Sequence, residues 1–184
     1  MLTNGNTFIL ITLFFLSLNS NLSAQEIQLD NGENSIRGVG EAITGNTIKI
    51  DNFKIVLEYT QAPKLEQICI DKQIGRYNCG DASRNYLQEY ISNKLLYCEF
   101  KRWNDSGERV SQCFTDDNLD LSKIIITSGW SIVKWFDRNT NKEPEKCSFT
   151  YCESISEDYW LLEQQAVKNQ RGLWSSKFDF PWLY

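Results

Sequence analysis

The sequence of 184 residues predicts an α+β domain in which five strands curl around one core and about three helices pack on them. Two observations lead to this prediction. Segments whose apolar residues alternate at period two come first as a group of three and later as a pair, which favours a curled, mixed sheet. Segments with apolar residues at helical spacing follow each group. A five-stranded OB-fold β-barrel is a small architecture that combines these features.

The first group of strands is predicted between residues 38 and 57. A strand starts within Gly38–Thr44, and Thr47–Asp51 and Phe53–Leu57 follow it, joined by a tight turn. An exit loop then ends at Pro63. Residues 65–79 are predicted to be a further loop, because glycine and lysine are scattered through them.

The first helix is predicted to begin at Asp81, which is a plausible N-cap. Its apolar residues recur at helical spacing: Ala82, Tyr86, Leu87, Tyr90 and Ile91. The pair of strands follows as Leu95–Trp103 and Arg109–Phe114, and the turn sequence Asn104–Gly107 joins them as a hairpin.

Two more helices are predicted after the hairpin. Asp120 caps a short helix that Gly129 ends, and a last strand follows it directly. After an irregular loop, Ser154 or Ser156 opens the final helix, which Gly172 ends. The residues expected to face inward from this helix are Tyr159, Leu162, Ala166 and, as the weakest candidate, Val167.

Residues 1–24 are interpreted as a signal peptide, so that the protein is secreted or periplasmic. The apolar run Phe8–Leu18 precedes a polar stretch and a small residue at Ala24, which is typical of a cleavage site. The run is too short to cross a bilayer as a helix, so no membrane association is expected after cleavage. Because no lysine or arginine precedes the run, an uncleaved anchor and a misplaced start codon are the alternatives. Residues 25–37 are predicted to be a flexible N-terminal arm and residues 38–184 the barrel domain.

All six cysteines follow the predicted cleavage site, and an even number in an exported chain favours disulfides. Of the connectivities that six cysteines allow, we predict the local one: Cys69–Cys79, Cys98–Cys113 and Cys147–Cys152. A zinc site is the alternative, but paired C-x-x-C spacing and histidine are both lacking.

The absence of histidine removes several mechanisms. No Ser–His or Cys–His nucleophile pair can exist, so catalysis would need carboxylates, lysine, arginine, tyrosine or an oxygen-bound metal. The net charge of −5 opposes the binding of a polyphosphate backbone, and nucleic acid is therefore an unexpected partner.

Several short motifs occur in a fixed order between residues 39 and 182. They are Gly45-x-Thr47, Ala62-Pro63, Cys79-Gly80 ahead of a helix with Ala82 and Leu87, Gly107 before a strand ending at Cys113, Asp120-Leu121, Gly129-Trp130, Glu163-x-x-Ala166 and Gly172-Leu173-Trp174. As an ordered set they resemble the staphylococcal nuclease (thermonuclease) family, in its secreted, cysteine-containing bacterial branch. The resemblance implies a five-stranded OB barrel with three helices, which is the architecture that the periodicity predicts.

The resemblance also implies a reaction, for which this chain lacks the residues. Members of the family cut DNA and RNA with one calcium ion held by carboxylates and with two arginines that neutralise the phosphate. The family's Gly-Asp-Thr reads Gly45-Asn46-Thr47 here, and its Asp-x-Pro-Glu loop reads Gln61-Ala62-Pro63-Lys64. Asn46 and Gln61 offer only neutral amide oxygens to a metal. The Lys64 ammonium has no lone pair with which to take a proton from water.

The two arginine positions are replaced as well. One reads Val56 and the other Glu108. A carboxylate ~4 Å from a phosphate costs about 4 kcal/mol at an effective dielectric of about 20. A one-residue bulge could bring Arg109 to the second position, but counting back from the cysteine favours Glu108, and a slip would turn Arg109 to the other face. A relocated metal site would have to use nearby acids that more often form a solvated face: Glu41, Asp51, Glu58 and Glu66.

The sequence therefore predicts an exported barrel that has lost nuclease activity and has a binding or structural role, with no cofactor. The predicted ligand is a protein, peptide or saccharide, and the candidate binding residues line the old cleft: Asn46, Gln61, Lys64, Glu108 and Trp103. Trp103 is expected to be exposed beside its turn, whereas Trp130 and Trp160 are expected in the core or in an interface. The alternative is a divergent calcium-dependent nuclease, and a non-catalytic nucleic-acid binder is a third hypothesis.

Overall fold

The computed structural model describes residues 34–134 and 157–178. In chain order their elements are β1 (Ser35–Thr44), β2 (Thr47–Ile50), β3 (Phe53–Leu57), β4 (Thr60–Gln61), β5 (Ile68–Asp71), β6 (Gly75–Asn78), α1 (Cys79–Ile91), β7 (Leu95–Trp103), β8 (Arg109–Thr115), α2 (Leu121–Thr127), β9 (Ile132–Val133), α3 (Glu157–Lys168), a short 3-10 helix (Gly172–Ser175) and β10 (Ser176–Lys177).

Five of these strands close a barrel in the order β1-β2-β3-β8-β7. Neighbouring strands run antiparallel except β3 and β8, which are parallel. The predicted α+β, OB-like barrel with three helices is thereby confirmed, and the hairpin β7–β8 lies where the sequence placed it. Outside the barrel, β10, β5 and β6 form a small three-stranded sheet, and β4 pairs with β9.

The barrel core consists of aliphatic side chains from alternate positions of the strands, which point inward, and helices α1 and α2 cover it. Its fully buried members include Ile48, Ile50, Ile55, Leu57, Leu87, Ile91, Leu96, Leu121 and Ile125. Burying a side chain of this size contributes about 1.5–3 kcal/mol relative to leaving it exposed. The period-two pattern of the strands and the helical spacing of α1 are therefore both explained by this single core.

The first strand begins three residues earlier than predicted. Ser35, Ile36 and Arg37 were assigned to a flexible arm, but they pair with Glu99, Cys98 and Tyr97 of β7. Ile36 is buried in the core. This part of the strand was not predicted because the preceding sequence is polar and rich in Asn and Gly. Ile36 is the one apolar residue among Ser35, Ile36 and Arg37, which is too few to show a strand pattern.

The segment before α1 also differs from the prediction. It was expected to be a loop, but it contains the hairpin β5–β6. The inward face of this hairpin carries Cys69 and Tyr77, whereas isoleucines lie on its exposed face, so its polarity pattern is inverted. The helix then begins at Cys79 rather than at Asp81, and its N-cap is Asn78, whose Oδ1 accepts a hydrogen bond from Asp81 N at 2.9 Å.

Two disulfides are present among the described residues, and both were predicted. Cys69–Cys79 joins β5 to the start of α1 with Cα atoms 5.6 Å apart, and Cys98–Cys113 joins β7 to β8 with Cα atoms 4.0 Å apart. Disulfides of this kind fit a protein that folds outside the reducing cytoplasm. The predicted Cys147–Cys152 pair lies outside the described residues, as do Ser154 and Ser156. In the described ranges, none of the helices has the length and apolar character that crossing a bilayer requires.

The cap of α2 is the centre of a buried polar cluster. The Asp120 carboxylate accepts hydrogen bonds from Ser122 N at 2.8 Å and Lys123 N at 3.3 Å, which confirms the predicted cap. It also accepts from Tyr159 Oη at 2.6 Å and from Gln112 Nε2 at 2.9 Å, so α2, α3 and β8 meet on one carboxylate. Burial, reinforced by this carboxylate, raises the pKa of Tyr159 well above its usual range.

Helix α3 packs mainly through Tyr159 and Ala166, which are buried as predicted, whereas Val167 is exposed and its assignment to the core was wrong. Glu163 lies on the same helix, and its Oε1 accepts a hydrogen bond from Val133 N of β9 at 2.7 Å. Burial raises the pKa of the Glu163 carboxyl, and this hydrogen bond partly opposes that effect. Trp160 is only half-buried.

Candidate functional site

The segments that carry Asn46, Gln61 and Lys64 pack against one another or against α1. Asn46 lies in the turn between β1 and β2, and its Nδ2 donates to Thr60 O of β4 at 3.0 Å. Gly45, beside it, is packed so closely against Ser83 of α1 that any Cβ would overlap that side chain. The β1–β2 turn, the segment that contains Gln61 and the first half of α1 therefore form one packed unit.

Asn46 uses both ends of its amide within the chain. Its Oδ1 accepts from Thr44 Oγ1 at 3.1 Å while its Nδ2 donates to Thr60, and its backbone oxygen accepts from Leu57 N at 2.8 Å. The side chain is half-buried. Asn46 therefore ties the turn to the neighbouring strands and does not present its amide outward, as the sequence alone had suggested it could.

Gln61 and Lys64 occupy the two ends of the exit loop. Gln61 is half-buried and pairs through its backbone with Ile132 of β9. The side chain of Lys64 is exposed, and its backbone carbonyl packs against Gly80, where a Cβ would overlap it. Close approach of α1 therefore fixes the backbone at this position, while the ammonium group remains in solvent.

Val56 and Glu108 lie on one outer face of the barrel. Val56 pairs with Thr47 on one side and with Val110 on the other, and Glu108 precedes Val110 by two residues. Side chains two residues apart on a strand share a face. The ion pair between Glu108 and Lys54, which itself precedes Val56 by two residues, is consistent with this placement.

Glu108 is held in place by its own hairpin turn. Asn104 Nδ2 donates to the Glu108 carboxylate at 2.9 Å, and Asn104 Oδ1 accepts from Glu108 N at 2.7 Å. The hydrogen bond from Lys54, and then the one from Asn104, lower the pKa of Glu108. An ionised carboxylate is thus held at this position of the outer face.

Arg109 does not take over that position. It pairs with Ile55 of β3, whose side chain is in the core, so Arg109 lies on the inner face and is 9% exposed. Its guanidinium lies over the ring of Phe100 at 4.6 Å, and burial lowers its pKa. The register shift in this hairpin falls in β7, between Phe100 and Arg102, rather than in β8, so Arg109 is not turned to the outer face.

Trp103 is the exposed aromatic residue that the sequence predicted. It lies at the end of β7 with 58% of its surface exposed, and its ring is 5.2 Å from that of Phe100. Trp130, which was expected in the core or in an interface, is half-buried and packs against the barrel core. The end of β7 therefore presents an exposed indole that packs on the ring of Phe100.

A buried ion pair next to the site was not predicted. Glu58 directly follows β3, is 5% exposed and accepts a hydrogen bond from Arg102 Nη1 of β7 at 3.0 Å. Its backbone N donates to Ser111 O at 3.0 Å, which continues the parallel pairing of β3 with β8. The sequence offered one signal for this placement: Glu58 follows Val56 by two residues, so the two side chains are expected on the same outer face.

The four acids considered for a relocated metal site are engaged differently. Glu58 is bound to Arg102, Glu41 pairs across the sheet with Lys49, Asp51 occupies the β2–β3 turn, and Glu66 is exposed. Within residues 34–134 and 157–178, no three Asp, Glu, Cys or His side chains form a group that could hold a metal ion.

The fold and the site together define a disulfide-linked, OB-like barrel domain. No family model matches the chain. The chain is 28% identical over 143 residues to the succinoglycan biosynthesis protein ExoI of Rhizobium meliloti (strain 1021). The match covers 77% of this chain and 66% of that protein, so it spans slightly less than two thirds of the relative's length.

Proposed function

We propose that this chain is an exported, staphylococcal nuclease-like barrel that has lost the nuclease reaction and acts as a binding domain. One observation carries the proposal: the polar groups at the family positions are unsuited to the reaction and are partly consumed by contacts within the chain. Asn46 joins two strands, and Glu108 closes a turn and pairs with Lys54.

The electrostatics of the outer face argue in the same direction. A phosphoryl transition state gathers negative charge and needs fixed cations around it. At the arginine positions this chain supplies the apolar Val56 and the ionised Glu108. The neighbouring Arg102 is bound to Glu58, which offsets its charge.

A saccharide is the ligand class that we favour. Among the candidate residues, Trp103 and Lys64 have exposed side chains and Gln61 is half-buried. An aromatic ring and planar polar side chains suit the apolar face and the hydroxyls of a sugar, and OB barrels bind oligosaccharides. The name of the R. meliloti relative, a succinoglycan biosynthesis protein, favours a saccharide over a peptide.

The decisive experiment for the lost reaction is a nuclease assay of the purified protein with single-stranded DNA and calcium. We expect no cleavage that a chelator suppresses. Chelator-sensitive cleavage that disappears in Glu41→Ala or Glu58→Ala would overturn the proposal in favour of a divergent calcium-dependent nuclease.

Binding is tested by titrating acidic and neutral oligosaccharides into the protein and recording heat or tryptophan fluorescence. Trp103→Ala should lower the affinity at least about fivefold, because the contact of an indole with the apolar face of a sugar should contribute about 1 kcal/mol or more. Val39→Ala, at an equally exposed apolar residue on β1, is the matched control and should leave the affinity unchanged. Equal affinities for all three proteins would exclude Trp103 from the site.

A further inference from the structure

The hairpin β5–β6 holds three isoleucines away from the core. Ile68, Ile70 and Ile74 are 45%, 49% and 72% exposed. Single exposed apolar residues are ordinary, but these three lie on one hairpin of eleven residues counted from Ile68 to Asn78. Ile68 and Ile70 share the face opposite Cys69, and Ile74 lies in the turn.

Cations lie beside two of these isoleucines, Ile70 and Ile74. Ile70 pairs with Arg76 of β6 on one side and with Lys177 of β10 on the other, so a cation flanks it on both neighbouring strands. Lys72 lies in the turn beside Ile74, and all three cations are exposed. Among the described residues, none of these cations forms an ion pair. The chain as a whole carries −5, so this face is a local reversal of charge.

The acids near the hairpin do not neutralise this face. Asp71 caps the turn from the other side: its Oδ1 accepts from Gln73 N at 2.7 Å and from Ile74 N at 3.1 Å, and its Oδ2 accepts from Ser175 Oγ at 3.2 Å. Glu66 is exposed and precedes β5 at the base of the hairpin, away from the turn.

The hairpin is also rigidly mounted. An isolated two-stranded hairpin is marginally stable in water. Here β10 adds a third strand, the Cys69–Cys79 disulfide ties β5 to α1, and Gly75 completes the turn with a φ of +78°. The backbone that carries the isoleucines is therefore anchored to the domain, and Ile74 in the turn is the most exposed of the three.

We propose that this hairpin docks on the surface of an anionic lipid bilayer. The isoleucines would enter the interfacial region while Lys72, Arg76 and Lys177 lie against lipid phosphates. An apolar tip with a cationic rim suits a membrane surface, because lipids adapt to a projecting shape and anionic headgroups attract nearby lysine and arginine. This inference departs from the sequence-based expectation of no membrane association, and it uses none of the residues of the proposed binding site.

The test compares full-length variants, which all share the same N-terminal apolar run, by co-sedimentation with vesicles. The vesicles are phosphatidylcholine alone or phosphatidylcholine with phosphatidylglycerol in equal parts. Ile70→Ser/Ile74→Ser should lower partitioning onto the anionic vesicles at least about tenfold, since each buried isoleucine contributes strongly to binding. The control Val39→Ser/Leu161→Ser removes equally exposed apolar residues elsewhere and should change partitioning less than about twofold.

Charge is tested in the same way. Lys72→Gln/Arg76→Gln should lower partitioning roughly fivefold per cation removed, and only on anionic vesicles. Lys49→Gln/Lys168→Gln makes the same change in net charge at exposed positions away from the hairpin and should have a smaller effect. Equal partitioning of all variants would overturn the proposal.

Hydrogen exchange of residues 68–78 supplies a local measurement. Anionic vesicles should slow exchange in this segment. Unchanged exchange would overturn the proposal. So would protection without lipid that Ile70→Ser/Ile74→Ser abolishes, which would indicate a second copy or another part of the chain on the hairpin. The nuclease assay judges the proposed function independently, since none of these variants alters its site.

Discussion

Asp120 and Glu58 are both buried carboxylates, 9% and 5% exposed, but the chain compensates for their burial in different ways. Asp120 is surrounded by four hydrogen-bond donors that carry no formal charge on the donating atoms. Glu58 instead faces the guanidinium of Arg102. The hydrogen bonds of Asp120 join α2 and α3 to the barrel. The ion pair of Glu58 with Arg102 places two opposite charges, which offset each other, beside the candidate site. The comparison shows that similar burial can serve either the scaffold or the electrostatics of a surface.

Breaking the buried ion pair should have the largest effect. Arg102→Met leaves Glu58 buried without its cation, which typically costs about 3–5 kcal/mol. The free energy of unfolding, measured with urea, should fall by that amount. The double variant Glu58→Met/Arg102→Met should recover most of the loss, because two apolar side chains can replace a buried pair. A double variant as unstable as Arg102→Met would contradict this account of the pair.

Removing the other carboxylate should cost somewhat less. Asp120→Ala removes a helix cap, worth about 1 kcal/mol, and leaves the buried Tyr159 hydroxyl without its acceptor, at about 1–3 kcal/mol. We expect a total loss of about 2–4 kcal/mol in urea unfolding. Tyr159→Phe is the control, since it leaves the cap intact and should lose only about 1 kcal/mol. Equal losses in the two variants would show that the cap contributes little.

The buried carboxyl of Glu163 should make the free energy of unfolding depend on pH. Because its pKa is raised in the folded state, its favourable contribution is complete below the unfolded pKa and is lost as the pH rises through the folded value. Glu163→Gln keeps an oxygen for Val133 N and removes the charge. The variant should gain stability relative to the wild type as the pH rises above 4.5. Parallel stability curves for the two proteins would rule out this role.

The smallest effect is expected at the exposed ion pair. The side chains of Lys54 and Glu108 are 53% and 30% exposed, and pairs of this kind contribute about 0.2–1 kcal/mol. Lys54→Met should therefore lower the free energy of unfolding by less than about 1 kcal/mol, and salt should reduce the difference. A loss comparable to that of Arg102→Met would mean that the two pairs on this face are energetically alike.

Local sequence was sufficient for much of the scaffold. The cap of Asp120, the turn at Asn104–Gly107 and the Cys98–Cys113 pair depend on neighbours in the chain, and all of them were predicted. The hairpin β5–β6 was missed, because its isoleucines point outward and invert the usual pattern.

The site was less predictable than the scaffold. Sequence identified the replaced positions, but it could not show that Asn46 is bound to Thr60 or that Glu58 is bound to Arg102. Such contacts join residues distant in sequence and depend on strand register and side-chain geometry. Whether a polar side chain is already hydrogen-bonded or ion-paired within the protein is therefore decided by the folded structure and cannot be taken from the local sequence.

The connection of β1 to β7 has a consequence for the order of folding. β7 and β8 are neighbours in the chain and can form a hairpin early, whereas β1 must wait for β7, since Ser35 pairs with Glu99. Contacts between residues distant in sequence form slowly, because closing the intervening loop costs entropy before any contact compensates for it. Barrel closure is thus expected to be the late step. Until then the edge of β1 that pairs with β7 in the folded barrel stays open to other chains.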